Sequence, residues 1–96
     1  MSNDHRLRAQ QQLANLLELL RAEPDRAHFA PLIELGEHLE RAIASFHMEA
    51  IRSRMYSLGR LIGDPETKAP AQAQTLFDAI RVSLEAAGFH TRSITH

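Results

Sequence analysis

The longest regular pattern of apolar and polar positions runs from residue 29 to residue 62. Apolar residues recur there at spacings of three and four, which places them on one side of a helix with about 3.6 residues per turn. They are Phe29, Leu32, Ile33, Leu39, Ile43, Phe46, Ala50, Ile51, Leu58 and Leu61. Pro31 suits a first helical position, because its missing N–H group would have no partner there. The pattern therefore predicts a long central helix over residues 31–62, straight or with one bend.

The length of this helix has a consequence for assembly. At ~1.5 Å per residue it would measure about 50 Å, whereas a compact domain of 96 residues has a radius of gyration of about 13 Å. Such a helix extends beyond a globular monomer. We therefore expect it either to be broken or to be covered by another chain, and the second alternative favours dimerisation.

Two shorter amphipathic segments flank the long one. The first, over residues 4–22, ends before Pro24, which disfavours the helical conformation in the residue that precedes it. The second, over residues 70–87, begins at Pro70 and stops at Gly88. Their apolar stripes are Ala9, Leu13, Leu16, Leu17 and Leu20, and then Ala73, Leu76, Phe77, Ile80, Leu84 and Ala87. A loop over 63–69 and an irregular tail over 89–96 complete the chain.

These elements predict one all-α domain over residues 1–96. We expect a three-helix bundle or helical hairpin with a long central helix, completed by dimerisation. The first helix should pack on Leu39, Ile43, Phe46 and Ala50 of the second, with the third closing the core. Phe46 and Phe77 are the large aromatic residues in this expected core.

Composition narrows the class of protein. Hydrophobic residues make up 44% of the chain and charged residues 24%, which is typical of globular domains. The chain has no cysteine, so it has neither disulfides nor thiolate metal ligands. The polar N-terminal residues and the short apolar runs predict neither a signal peptide nor a membrane span. We expect a small cytoplasmic protein of bacterial type.

The histidines and serines give no strong indication of chemistry. The chain has six histidines, but neither the Glu-x-x-His spacing of di-iron bundles nor the His-Glu-x-x-His spacing of zincins occurs. Glu34 and His38 are four residues apart, but on the polar side of the predicted helix. The serines lack the sequence context of a nucleophile. We expect no metal, no cofactor and no enzymatic activity.

Arginines of the long segment raise the question of nucleic-acid binding. Arg41 and Arg52 align on a helix, whereas Arg54 points almost oppositely. Glu37 and Arg41 form a natural pair at a spacing of four, and the net charge of −1 opposes general polyanion binding. A solvated, salt-bridged surface is the favoured interpretation. The alternative is a nucleic-acid-binding regulator in which a dimer assembles Arg41 and Arg52 into one basic face.

Glu40, His47 and Arg54 form the most suggestive group, because spacings of seven place them in a row along one helix. Two such helices packed antiparallel about His47 would set Glu40 of each chain against Arg54 of the other. We therefore predict a protein–protein interaction module, either a homodimer or an adaptor or regulatory subunit, with this row at its interface. A protein partner is possible, and nucleic acid and membrane are not expected.

Overall fold

The computed structural model describes residues 2–89, with side chains from residue 4 onward, and these residues form helices and turns without β-strands. The helices are α1 (Ser2–Arg21), α2 (Ala30–Ala44), α3 (Met48–Gly63) and α4 (Ala71–Ala86). A short 3-10 turn, Arg26–Phe29, precedes α2, and a second one, Pro65–Thr67, follows α3. The His28 Nε2–H group donates to the Thr67 carbonyl at 2.7 Å and ties these two turns together. None of the described helices is long and apolar enough to cross a membrane.

The predicted long central helix is wrong, because the chain breaks it at Ser45–His47. The N–H of Phe46 bonds to the carbonyl of Ile43 at 3.2 Å, and the N–H of His47 bonds to that of Ala42 at 3.0 Å. This pair of bonds is the Schellman motif that ends helices. Phe46 adopts a left-handed conformation there, with φ of 57°. The described residues therefore contain four helices where the sequence predicted three.

The four helices pack as two pairs, α1 with α4 and α2 with α3. Gln12 of α1 accepts a hydrogen bond from the buried Ser83 hydroxyl of α4 at 2.8 Å. Arg21 at the end of α1 forms an ion pair with Glu37 of α2 at 2.7 Å. The longest extent is 39 Å, shorter than the about 50 Å of one continuous helix. The overhang that favoured dimerisation is thus absent, and dimerisation itself stays a prediction.

The core follows the apolar stripes closely, with one large exception. Leucines of α1 meet Leu39 and Ile43 of α2, and Phe77, Ile80 and Leu84 of α4 are buried beside them. Phe77 is only 2% exposed. Phe46, by contrast, is 59% exposed, because the chain turns at this residue and carries its side chain out of the core. The prediction that Phe46 is a core residue is therefore wrong.

Two glycines within the helices allow close side-chain packing. A Cβ atom added to Gly36 would lie 2.6 Å from Cδ2 of Leu17. A Cβ atom added to Gly59 would lie 2.8 Å from Cζ of Phe77. Real Cβ contacts are essentially never this short, so each glycine makes room for a buried residue of a neighbouring helix. Gly59 lies inside α3.

Helix α4 ends as its sequence predicts, at Gly88. Gly88 has φ of 100°, a conformation that glycine adopts without the steric cost of a Cβ atom. Its N–H bonds to the Glu85 carbonyl at 3.0 Å, and that of Phe89 bonds to the Leu84 carbonyl at 2.9 Å. Phe89 folds back and is buried. The rest of the predicted irregular tail, residues 90–96, lies outside the described residues.

Candidate interaction surface

Glu40, His47 and Arg54 do not form a row along one helix. Glu40 lies in α2, Arg54 lies in α3, and His47 stands at the break between them. His47 is the N-cap of α3, and its Nδ1 atom accepts a hydrogen bond from the N–H of Ala50 at 3.1 Å. This bond satisfies one of the free N–H groups at the helix start. The continuous helix that the interface hypothesis required is therefore absent, although association stays a prediction.

Arg41 and Arg52 are also divided between two helices. Arg41 lies in α2, and its Nη2 group donates to Nδ1 of His38 at 2.9 Å. Arg52 lies on the second turn of α3. The expected Glu37–Arg41 pair does not form, because Glu37 bonds to Arg21 of α1 instead. The structure thus gives no single stripe that contains both Arg41 and Arg52.

The solvent-facing side of α3 carries a different constellation. We define the outer face of α3 as Glu49, Arg52, Ser53, Tyr56 and Arg60. The first four line an open depression of about 350 Å³. Tyr56 is 52% exposed, and the Arg60 guanidinium lies 5.9 Å from the centre of its ring. Because the spacing is four residues each way, an arginine lies about one helical turn before and one after the exposed tyrosine.

The two arginines of this face outnumber its one carboxylate, Glu49. Within residues 4–89, neither Arg52 nor Arg60 forms an ion pair, whereas Arg21 and Arg81 do. The outer face of α3 therefore carries a net charge of +1 on a chain whose net charge is −1.

A second open depression lies beside the start of α2. It has a volume of about 600 Å³ and is lined by Arg26, Ala27, Ala30, Pro31, Ile33, Glu34 and Glu37. Its walls are small and apolar, and its rim carries both signs of charge. Glu37 is held by Arg21. This depression presents no unbalanced charge and no large exposed hydrophobic side chain.

The corner between α2 and α3 joins three parts of the chain. The Phe46 ring lies 6.1 Å from that of Phe89, measured between centroids. On the same ring rests the Arg6 guanidinium, 4.3 Å from its centre. The corner therefore connects α1, the α2–α3 break and the end of α4. These contacts give the exposed Phe46 ring a structural role.

His28, His38 and Ser45 bond to other groups of the chain. Within residues 4–89, no group of three or more His, Asp or Glu side chains could hold a metal ion. His38 and Arg41 bond to one another, and His28 bonds to a backbone carbonyl. Ser45 donates its hydroxyl to backbone carbonyls of its own helix. These side chains serve local structure.

The spacing of Arg52, Tyr56 and Arg60 was a signal in the sequence for the outer face of α3. These residues recur every four positions, so successive ones lie about one turn apart on a helix. Considered with Arg41 and the interspersed Glu37, Glu40 and Glu49, the arginines indicated a salt-bridged surface. In the structure Glu37 pairs with Arg21, and neither Arg52 nor Arg60 forms an ion pair within residues 4–89.

Comparison with known proteins gives no relative: no family model, no curated protein and no solved structure matches the chain.

Proposed function

We propose that the protein works by association, as an adaptor or regulatory subunit whose binding surface is the outer face of α3. The observation that carries this proposal is the exposed Tyr56 between two arginines that have no carboxylate partner. Tyrosine and arginine are the residue types most enriched among those that dominate binding energy at protein interfaces. An arginine that forms no intramolecular ion pair can form a bidentate bond with a carboxylate of a partner.

The proposal replaces the earlier interface row by a different surface. Glu40, His47 and Arg54 belong to two helices and to the turn between them, and His47 already has a capping role. Arg52, Tyr56 and Arg60 belong to one helix and share its exposed side. A partner can therefore contact all three at once along a single line.

Binding to an immobilised acidic polymer tests this proposal. At low ionic strength we expect polyglutamate resin to retard the wild type and to retard Arg52→Ala/Arg60→Ala much less. Arg8→Ala/Arg26→Ala is the matched control, because it removes the same net charge from exposed positions elsewhere. The control should elute like the wild type. Equal loss of retention in both double variants, or no retention of the wild type, would contradict the proposal.

Nucleic-acid binding through Arg41 and Arg52 is the alternative that the same experiment addresses. Retention on a DNA resin but not on polyglutamate, lost in Arg41→Ala/Arg52→Ala, would support it. We favour a protein partner because Arg41 lies on α2, a different helix from Arg52, and is bonded to His38 of its own helix. In addition, affinity for nucleic acid depends on several phosphate contacts made together.

A further inference from the structure

We infer that the outer face of α3 binds an acidic helix of a partner protein, with two carboxylates about two turns apart and an apolar residue between them. This inference rests on the proposed function and names the chemistry of the partner. It follows from the order of charges along α3, from their spacing, and from the position of Glu49.

The order of charges excludes the same face of a second copy as the partner. Arg52 and Arg60 are equally distant from Tyr56 along α3. If two α3 helices paired antiparallel about Tyr56, Arg52 of each would face Arg60 of the other. If they paired in parallel and in register, each arginine would face its own counterpart. Both arrangements place like charges together, which opposes association.

The spacing of charges also excludes the acidic side of α2 in a second copy. Arg52 and Arg60 are eight residues apart, about 12 Å along the helix axis. Glu34 and Glu37 are three residues apart, about 4.5 Å along their axis, and Glu37 is already paired with Arg21. A partner helix with carboxylates seven residues apart spans about 10.5 Å and matches the arginines much better. Its intervening apolar residue would lie on the Tyr56 ring. In the chain itself Asp78 and Glu85 of α4 have this spacing, but Asp78 is already paired with Arg81, which favours a separate partner.

Glu49 distinguishes separate carboxylates from a continuous polyanion. It lines the same depression as Arg52 and Tyr56, so a chain of phosphates across this depression would approach its carboxylate. A helix with two acidic residues, one near Arg52 and one near Arg60, can leave an apolar or basic residue near Glu49. The surface therefore fits an acidic helix better than nucleic acid.

Two labelled helical peptides of identical composition test the inference. In the first, two glutamates seven residues apart flank a central leucine, and in the second the glutamates are four residues apart. Fluorescence anisotropy should show that the wild type binds the seven-residue spacing about two- to fivefold more tightly, the range expected for one additional exposed ion pair. Arg52→Ala and Arg60→Ala should each abolish this preference. Arg8→Ala/Arg26→Ala should retain it.

The other outcomes overturn the inference, provided that circular dichroism shows the variants to be folded. Equal affinity for both peptides overturns the inference but leaves the proposed function intact if polyglutamate still retains the wild type. Tighter binding of a DNA duplex than of either peptide overturns it in favour of nucleic acid. A concentration-dependent dimer in sedimentation that Arg52→Ala/Arg60→Ala dissociates overturns it in favour of a second copy. Failure to bind either peptide overturns it as well.

Discussion

At the scale of single residues, Phe46 departs most from local preference. It occupies the left-handed position of a Schellman motif that Gly88 occupies in the equivalent motif at the end of α4. A residue with a side chain pays about 1–2 kcal/mol for this conformation. The contacts of its ring with Arg6 and Phe89 offset that strain. At this position the backbone conformation therefore destabilises the fold, whereas the contacts of the ring stabilise it.

Substitution of Phe46 by glycine and by alanine separates the two effects. Both variants lose the ring, but only glycine relieves the backbone, so Phe46→Gly should be more stable than Phe46→Ala by about 1 kcal/mol. The same pair at Val82, an exposed residue inside α4, is the control. At that position the alanine variant should be more stable than the glycine variant by about 1 kcal/mol. Urea denaturation measures both differences in the free energy of unfolding. If Phe46→Ala were more stable than Phe46→Gly, the backbone at residue 46 would not be strained.

At the scale of helices, Gly59 shows how α3 and α4 come together. The Phe77 ring occupies the space that a side chain at residue 59 would need, and this ring is buried. Rotation of the ring away from α3 is opposed by the surrounding core, because protein interiors are close-packed. The glycine therefore fixes the distance between two helices.

Gly59→Ala should destabilise the protein although alanine is the better helix former. We expect a loss of about 1–3 kcal/mol from overpacking. Gly63→Ala is the matched control, because a Cβ atom added to this last residue of α3 meets no atom within 4 Å. That variant should be neutral or slightly stabilised. Thermal unfolding of the two variants measures this difference in stability. Equal melting temperatures would show that the Phe77 ring can move aside without cost.

The ends of the helices could be predicted where proline or glycine stands beside them, but not where these residues are absent. Pro24, Pro70 and Gly88 set the limits of the first and last helices closely. The break at Ser45–His47 contains neither glycine nor proline, and the apolar spacing from Ile43 through Phe46 to Ala50 continues as in a helix. The turn is stabilised by its capping hydrogen bonds and by the tertiary contacts of Phe46 with Arg6 and Phe89. Local periodicity therefore could not reveal it.

The candidate site was missed because ion pairs could not be assigned from spacing alone. Glu37, Glu40 and Glu49 are interspersed among the arginines and suggested that these were neutralised. In the structure Glu37 pairs with Arg21, and Arg52 and Arg60 form no ion pair within residues 4–89. The residues of the binding surface could be read from the sequence, but their electrostatic surroundings depended on the fold.

At the scale of the whole molecule, the charge distribution sets the mode of association. The outer face of α3 carries +1 on a chain of net charge −1, so its charge is opposite in sign to that of the whole molecule. Such asymmetry orients an acidic partner before contact and accelerates correct encounters. Salt weakens this effect, because the screening length is about 8 Å at physiological ionic strength. Association with an acidic partner therefore depends on complementary charges more than on the area of contact.

Reversal of charge on both partners tests this account most directly. Arg52→Glu/Arg60→Glu should lose affinity for the peptide with two glutamates seven residues apart. It should gain affinity for the same peptide with lysines in their place, which the wild type should ignore, because opposite charges would again face each other. Fluorescence anisotropy at low and physiological salt measures both changes. A folded variant that binds neither peptide, or one that binds both peptides as the wild type does, would contradict the outer face of α3 as a charge-complementary binding surface.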